Sequence, residues 1–259
     1  MKPETNARQI IVKKPHKTVY RDGDRLIKEF DGTYLKSNVL NEALNLARVE
    51  ETGLLVPNML EVTFHDGKWA IVTEYIEGKT LAQLISEKPK DKKKLITRFV
   101  TIQTEVHEKK ANYLNKLRDK LHEKISACSS VLDESQRYEL HMSLESMRKY
   151  DKVLNDRVCH GDFCPENIII TANNKAYVLD WAHAAMGNPA ADAAQTYMEF
   201  CLTGELETAK IYLELFSEQN NISIKFIQSW LPIIAAARMS LKNDNERELL
   251  YSWINVNFE

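Results

Sequence analysis

The sequence predicts an α+β protein with a small antiparallel sheet and one helix in its N-terminal part, and a larger, mostly helical C-terminal part. Two observations predict this class. The first third of the chain carries short strand patterns joined by Asp-Gly turns. Beyond about residue 80, apolar residues recur at helical spacing. A chain of 259 residues is long enough for one large domain or two lobes with an ample core.

The N-terminal part is predicted to contain three strands, one helix and two further strands, in that order. Asp22-Gly23 and Asp66-Gly67 are dipeptides typical of hairpin turns between neighbouring strands. Ser37 is the predicted N-cap of the helix, and Gly53 is predicted to end it. The predicted strands are 10–12, 18–21, 26–30, 59–64 and 68–75, and the predicted helix is 37–52.

The C-terminal part is predicted to follow a hinge at Glu77-Gly78-Lys79-Thr80. This hinge divides the chain into residues 1–77 and 78–259. A strand hairpin near residue 170 is expected to interrupt the helices. The predicted helices are 80–87, 91–110, 115–128, 133–151, 190–202, 205–218, 222–241 and 243–256.

The composition argues against several classes of protein. A net charge of -2 gives no support to a nucleic acid or an anionic membrane as a general partner. No apolar run reaches the roughly eighteen residues of a spanning helix, and residues 1–9 lack the core of a signal peptide. The four cysteines have neither CxxC nor disulfide-framework spacing. We therefore expect a cytoplasmic protein without nucleic-acid or membrane partners, and the oligomeric state is left open.

One motif carries most of the chemical information in this chain. It reads His160-Gly161-Asp162-Phe163-Cys164-Pro165-Glu166-Asn167-Ile168-Ile169-Ile170, and Val178-Leu179-Asp180-Trp181 follows it. Strands at 167–171 and 176–179, joined by an Asn-Asn turn, would bring Asn167 and Asp180 together at the open end of a hairpin. Amide and carboxylate oxygens placed in this way suit Mg²⁺. Asp162, just before the hairpin, could then accept a proton from a hydroxyl that attacks a metal-bound phosphate.

The alternative interpretation of this motif is an ordinary hairpin whose acids cap turns. A lone acid and amide would favour that interpretation. The ordered set of His160, Gly161, Pro165, the apolar triplet and the second acid favours a chemical site instead.

This arrangement resembles the protein-kinase-like fold. With Gly161 before the first acid and Trp181 after the second, it resembles in particular the aminoglycoside phosphotransferase and choline kinase superfamily. The resemblance extends over about residues 19–200. It implies a two-lobed fold in which Asn167 and Asp180 hold Mg²⁺ and Asp162 is the catalytic residue.

Lys28, on an apolar face of the third predicted strand, needs a partner, and Glu42 in the following helix is the natural candidate. Glu50 and Glu51, near the end of that helix, are weaker rivals. The resemblance implies that Lys28 contacts the nucleotide phosphates and that Glu42 orients it. The alternative is a lysine that lies along the surface with its charge in water.

The resemblance also assigns roles outside the lysine pair. The backbone of the segment from Glu74 to Ile76 is expected to hydrogen-bond the adenine edge. His160 and Asp192 are expected to orient the catalytic loop.

Two departures from the family pattern stand out. The connection from Lys13 to Lys17 contains no glycine, whereas protein kinases carry a Gly-rich loop there. Lys14 or Lys17 could supply charge to the phosphates, or the turn could face solvent. Ala182 occupies a position where the family commonly has an acid.

The resemblance implies a phosphotransferase that moves the γ-phosphoryl group of ATP or GTP to a hydroxyl of a small molecule. An aminoglycoside, an amino alcohol or a sugar would serve as acceptor. Residues 1–77 would bind the nucleotide, and residues 78–259 would carry catalysis and the acceptor. One alternative is a catalytically inactive nucleotide-binding module. A protein kinase is disfavoured because the segment from Asp180 to Pro189 is too short for an activation loop.

The acceptor pocket is expected to involve the helices after Phe200. These helices offer both carboxylates, such as Glu246, and aromatic side chains, such as Trp230. Amphipathic helices commonly carry both sets, so the sequence leaves the chemistry of the acceptor open.

Overall fold

The chain forms two compact units, which do not follow the order of the sequence. The computed structural model describes residues 8–150, 156–241 and 243–254. The first unit runs to Leu84 and includes Pro165–His183, and the second contains Ile85–Cys164 and the chain from Ala184 onward. The boundary predicted after residue 77 therefore differs from this division, because the segment Pro165–His183, which contains the predicted hairpin and is called the catalytic hairpin below, joins the first unit. The polar segment 1–7 and the predicted helix ends at 151 and 255–256 lie outside the described residues.

The first unit contains a five-stranded sheet with the order β1-β2-β3-β5-β4. All neighbouring strands are antiparallel, so the predicted N-terminal antiparallel sheet is confirmed. Asp66 and Gly67 both have positive φ angles, of 50° and 77°, as the turn of a tight hairpin requires. The strands are β1 Gln9–Lys14, β2 Lys17–Asp22, β3 Arg25–Phe30, β4 Met59–His65 and β5 Lys68–Glu74.

Helix α1, Lys36–Glu50, packs its apolar face onto this sheet. Val39 and Ala43 lie in one buried cluster with Phe30 and Ile71. Full burial of an apolar side chain of this kind is worth about 1.5–3 kcal/mol. The packing fixes the face of α1 that is turned towards β3.

The prediction that Ser37 caps this helix is wrong. The N-cap is Leu35, which has an extended backbone and no capping side chain. The amides of Asn38 and Val39 donate to the Leu35 carbonyl at 2.9 and 3.3 Å, so the first helical turn begins there and includes Ser37. The packing of Val39 against the sheet favours this start over the local preference for a serine cap.

A second, three-stranded sheet in the first unit has the order β6-β8-β9, with β6 Lys79–Thr80, β8 Ile168–Ile170 and β9 Ala176–Val178. The hairpin predicted from the sequence is thus present. A Cβ atom on Gly78 would lie only 2.5 Å from the Ile170 carbonyl oxygen, so only glycine fits at this point of the hinge. The hinge and the catalytic hairpin therefore belong to one sheet.

The second unit is mostly helical. The strands β7 Arg157–Cys159 and β10 Ala185–Gly187 pair in antiparallel fashion within it. Helix α2 contains the division between the units. The helices are α2 Leu81–Glu87, α3 Lys92–His107, α4 Leu117–Ala127, α5 Glu134–Tyr150, α6 Pro189–Leu202, α7 Leu206–Asn220, α8 Ile224–Gln228, α9 Leu231–Met239 and α10 Arg247–Ile254. In the described part of the chain, no helix is both long enough and apolar enough to cross a membrane.

Two helix predictions need correction. The helix predicted at 222–241 is split into α8 and α9, because Pro232 near the start of α9 cannot donate to the carbonyl four residues earlier and its ring would clash with it. The helix predicted from residue 243 begins only at Arg247. Asn243 caps a short 3-10 turn, Asp244–Glu246, before it.

Candidate active site

Lys28 is the buried cation of the first unit. Its ammonium group donates to a carboxylate oxygen of Glu42 and to Asp180 Oδ1, the latter at 3.0 Å. Lys28 and Glu42 are only 8% and 7% exposed. Burial alone would lower the pKa of Lys28, but the two carboxylates outweigh it and raise that pKa above its ordinary value. The lysine is therefore charged, and α1 and the catalytic hairpin hold it from two sides.

Asp180 is the residue where the catalytic hairpin meets the two lysines of the sheet. Its Oδ1 accepts from Lys28 at 3.0 Å and its Oδ2 from Lys17 at 3.1 Å. Burial alone would raise the pKa of Asp180, but these cations hold it well below its ordinary value. Its φ of 60° lies in the left-handed region, which costs about 1–2 kcal/mol for most residues and less for Asp and Asn. Such a conformation at a charged site points to a functional constraint.

The same hairpin places Asn167 beside this residue. The amide of Leu179 donates to the Asn167 carbonyl at 2.8 Å, and Asp180 is the next residue along the chain. The hairpin thus places the Asn167 backbone opposite Leu179, one residue before Asp180, and a metal site shared by Asn167 and Asp180 stays a prediction.

Helix α1 also fixes the turn after Asp180. The Asn45 side-chain amide donates to the carbonyls of Trp181 and Ala182 at 3.3 and 3.2 Å, and Asn41 reaches the Ala182 carbonyl at 3.4 Å. Ala182 therefore contributes its backbone carbonyl to this contact. The Trp181 indole is buried and donates to the Val178 carbonyl at 3.0 Å.

The pair Asn167 and Asp180 fits a hard divalent cation. An ionised carboxylate that attracts two ammonium groups, next to an amide, is a donor set that Mg²⁺ accepts together with waters and phosphate oxygens. Within the described residues, no group of three or more His, Cys, Asp or Glu side chains is arranged to hold a metal ion. One carboxylate and one amide would leave the other coordination positions of Mg²⁺ to waters and phosphate oxygens.

The hinge segment has part of its backbone already engaged. The Glu74 amide donates to the Asn58 carbonyl at 3.0 Å, and the Tyr75 amide donates to the Asp24 carbonyl at 2.8 Å. The Glu74 side chain accepts from the Asn58 amide at 3.1 Å, so it braces β5. The Glu74 carbonyl accepts from the Thr73 hydroxyl at 3.2 Å and has a second lone pair, so this carbonyl and the Ile76 backbone are the groups left for the adenine edge.

In the second unit, Asp192 of α6 organises the loop that carries Asp162. The amide of Gly161 donates to Asp192 Oδ1 at 2.7 Å, and the His160 amide donates to Oδ2 at 3.2 Å. The Asp162 amide donates to His160 Nδ1 at 3.2 Å. Gly161 has a φ of 77°, which favours glycine, and its carbonyl accepts from Gln195.

Helix α3 completes the surroundings of Asp192. His107 Nε2 lies 2.9 Å from Asp192 Oδ2, and Gln103 Nε2 donates to the same oxygen at 3.4 Å. Burial alone would raise the pKa of Asp192, but the contact with His107 and the other donors outweigh it and lower that pKa. An ionised, buried carboxylate with four donors holds the catalytic loop in one conformation.

Helices α6 and α9 place a cation near the same loop. Arg238 of α9 donates to both carboxylate oxygens of Glu246 at 2.7 and 2.9 Å, and its guanidinium lies 3.7 Å from Glu199 of α6. Hydrogen bonds to Glu246 raise the pKa of Arg238, and the charges of Glu199 and Asp162 act in the same direction. Trp230, the other acceptor residue suggested by the sequence, lies in the interior beside a cavity of about 430 Å³.

Several of these residues were not predicted from the sequence. Gln103 and His107 are polar residues one turn apart on a buried helix face, and that spacing is a detectable signal. Asn45 follows Glu42 by three residues, so it shares a face of α1. Nothing local to Arg238 indicates its partners.

Comparison with known proteins extends this description. A family model described as the phosphotransferase enzyme family, APH, matches residues 16–222. A search among curated proteins finds no match.

Three similar solved structures share the fold over nearly the whole chain. Choline kinase LicA from Streptococcus pneumoniae is 15% identical, with a TM-score of 0.65, over 97% of this chain and 94% of its own. An aminoglycoside 2′-phosphotransferase-IIIa mutant in its GDP complex is 17% identical, with a TM-score of 0.64, over 99% and 94%. A thermostable mutant of aminoglycoside phosphotransferase APH(4)-Ia, in ternary complex with AMP-PNP and hygromycin B, is 13% identical, with a TM-score of 0.63, over 96% and 90%.

These likenesses confirm the α+β, protein-kinase-like fold. The matched range contains Lys28, Glu42 and the whole catalytic motif. The chain therefore belongs to the phosphotransferase enzyme family, as the resemblance in its catalytic motif predicts.

Proposed function

We propose that this protein transfers the γ-phosphoryl group of ATP or GTP to a hydroxyl of a small molecule such as an aminoglycoside, an amino alcohol or a sugar. One observation carries the proposal. Lys28, Glu42 and Asp180 form a buried charged cluster that joins the sheet, α1 and the catalytic hairpin. A structural ion pair of Lys28 and Glu42 does not account for the third charged group, Asp180. A site for a metal-bound polyphosphate does account for it, because such a site uses an acid for the metal and a lysine for the phosphates.

In this proposal the first unit binds the nucleotide. Lys28 contacts the phosphates and Glu42 orients it. The backbones of Glu74 and Ile76 bind the base, and Asn167 and Asp180 hold Mg²⁺. When bound, Mg²⁺ would neutralise the negative charge that develops on the phosphates.

Asp162 is the proposed catalytic residue. The acceptor oxygen forms a bond to the γ-phosphorus, the bond from that phosphorus to the β–γ bridging oxygen breaks, and a nucleoside diphosphate leaves. Asp162 accepts or orients the proton of the acceptor hydroxyl. Its loop is held by Asp192 and His160, so the carboxylate is presented without a large cost in ordering.

The similar structures support a nucleotide and a small-molecule acceptor, since their complexes contain GDP, AMP-PNP or hygromycin B. The cytoplasm is the proposed location. The cysteines Cys128, Cys159, Cys164 and Cys201 form no disulfide bond with one another, as expected in a reducing compartment that also supplies ATP.

The test is consumption of ATP and of GTP by the pure protein, with Mg²⁺, against a panel of aminoglycosides, amino alcohols, sugars and nucleosides. We expect phosphorylation of at least one member, with loss of the signal in Asp162→Asn. Nucleotide binding without turnover on any acceptor would favour the inactive binding module. Efficient phosphorylation of a protein, with no small-molecule acceptor found, would contradict the proposal.

A further inference from the structure

The connection between β1 and β2 contains no glycine, so it cannot form the Gly-rich loop of protein kinases. It is a two-residue turn, Pro15-His16, between the paired residues Lys14 and Lys17. The residue after β3 holds this turn in place, because the Asp31 amide donates to the His16 carbonyl at 3.1 Å. A tight turn that is held in this way offers few free backbone amides to a polyphosphate. The positive charge that binds phosphate at this place therefore has to come from a side chain.

Sheet register decides which lysine of this turn can supply it. Lys17 pairs with Phe30, and Lys28 pairs with Val19, so Lys17 and Lys28 project from the same face of the sheet. Lys13 pairs with Thr18 and projects from the opposite face. Lys14 shares the face of Lys17 but is exposed, whereas the side chain of Lys17 is only 23% exposed.

Lys17 and Lys28 each bind one oxygen of the same carboxylate, at 3.1 and 3.0 Å from Asp180. Their other partners differ. Lys28 has a second carboxylate, Glu42. The ion pairs found among the described residues give Lys17 only Asp180. If Asp180 binds a metal ion, Lys28 still has Glu42 as its counterion, whereas Lys17 loses its contact with Asp180.

A partly buried ammonium group without a counterion is costly, and the natural replacement beside a metal-binding acid is a phosphate oxygen. We propose that Lys17 is a second phosphate-binding lysine, which moves from Asp180 to the polyphosphate when the nucleotide binds. It takes over the contact that a Gly-rich loop makes in protein kinases. This inference rests on the proposed function.

A competing role for Lys17 predicts the opposite sign. If Lys17 only occupies Asp180, its removal frees the carboxylate and strengthens the binding of Mg–nucleotide. If Lys17 binds phosphate, its removal weakens the binding of Mg–nucleotide. The sign of the change in Mg²⁺ therefore separates the two roles.

The experiment is calorimetric titration of the full chain and its Lys17→Met variant with ATP, ADP and adenosine, each in Mg²⁺ and in EDTA. We expect Lys17→Met to weaken ATP and ADP binding about 10–100-fold in Mg²⁺, as for one lost charge-assisted hydrogen bond. Adenosine, which has no phosphate, should bind equally well. Lys17→Arg should retain most of the affinity.

Lys13→Met is the matched control, since it removes the same charge two residues before the turn begins but from the other face of the sheet. It should leave all affinities unchanged. Lys17→Gln provides the same test if the methionine variant does not fold, as judged by its thermal unfolding without ligand.

Unchanged or tighter binding of Mg–ATP by Lys17→Met would overturn the inference while leaving the proposed function intact. An equal loss in Lys13→Met would also overturn it, because the effect would then be one of general charge. Absence of nucleotide binding by the unmodified protein would overturn both.

Discussion

Asp180 and Asp162 are two acids of one motif, and the structure gives them different surroundings. Asp180 lies in a left-handed turn against two lysines. Asp162 lies in a loop organised by Asp192 and His160. Different surroundings support the different roles proposed for them, metal binding and proton acceptance.

Asn substitutions separate these roles, because Asn also tolerates the left-handed backbone of Asp180. Asp162→Asn should lower turnover roughly 10²–10⁴-fold, the range for a lost general base, and spare Mg–ATP binding. Asp180→Asn should weaken the Mg²⁺-dependent part of ATP binding. Titration calorimetry and turnover measure the two effects. The opposite pattern would mean that the roles are reversed.

The contact between Lys28 and Glu42 leads to a second prediction at this scale. Lys28→Ala should weaken ATP binding and slow transfer, and Glu42→Ala should do so more mildly, since Asp180 still holds the lysine. The losses should be less than additive in the double variant, as for residues in contact. Fully additive losses in a double-mutant cycle would show that Glu42 does not act through Lys28. Glu51→Ala, near the end of the same helix, is the control.

At the scale of elements, one face of α6 serves two purposes. Asp192 and Gln195 hold the catalytic loop, and Glu199, one turn further, contacts Arg238. Residues three, four and seven positions apart share a helix face, so a single helix connects the loop with α9. Displacement of α6 would disturb both.

Asp192→Asn tests the first of these contacts. An amide cannot accept from all four donors, so we expect a loss of about 1–3 kcal/mol in the free energy of unfolding at pH 7, measured in urea. The pKa of Asp192 is lower in the folded than in the unfolded chain. Its contribution is therefore fully present above the unfolded value of about 4 and is lost as the pH falls below it.

The difference in unfolding free energy between the protein and Asp192→Asn should accordingly be constant from pH 7 to 5 and shrink near pH 3.5. A difference that stays constant over the whole range would show that the charge of Asp192 does not stabilise the fold. Asp244→Asn, at an exposed acid, is the control.

The second contact leads to a prediction about the acceptor. Arg238 donates two hydrogen bonds to Glu246, and these bonds, together with the charges of Glu199 and Asp162, raise the pKa of Arg238. Glu246→Gln should therefore change the KM for the acceptor several-fold and leave the KM for ATP near its original value. Glu248→Gln, an exposed neighbour on α10, should change neither. Equal changes in both KM values would place the effect outside the acceptor side.

At the scale of the whole molecule, the two units are not consecutive segments of the chain. Pro165–His183 belongs to the first unit although it follows the helices α3, α4 and α5 of the second. All residues proposed to bind the nucleotide and the metal, Lys28, Glu42, Glu74, Ile76, Asn167 and Asp180, thus lie in one compact unit. In this proposal, the nucleotide and the metal can therefore bind to the first unit before any acceptor is present.

Nucleotide binding should therefore stabilise the protein as a whole. At a hundredfold excess over the dissociation constant, a ligand specific for the folded state adds about 2.7 kcal/mol. For a chain of this size we expect the Tm to rise by roughly 5–10 °C with Mg–ATP, and by less with ATP and EDTA. Differential scanning fluorimetry measures this. No rise with any purine nucleotide would contradict the proposed nucleotide site.

Local sequence was sufficient for much of this fold. Strand alternation and Asp-Gly turns predicted the five strands of the sheet, and the Asn-Asn turn predicted the hairpin that Asn167 precedes and Asp180 follows. The pairing of Lys28 with Glu42 was also predicted. The strand and the helix that carry them are consecutive elements, and the residue period of each element shows which side chains share a face. These features depend on residues a few positions apart, which the sequence displays directly.

Tertiary structure alone decided the remaining features. It placed Lys17, and not Lys14, in contact with Asp180. It placed the N-cap of α1 at Leu35. It also brought Gln103 and His107 to Asp192. Lys17 and Asp180 are 163 positions apart, and no local pattern encodes a contact over that separation. The sequence by itself determined the elements and the chemistry they carry. Packing determined which charges meet, because burial makes an unpaired charge costly and thereby selects its partner from distant parts of the chain.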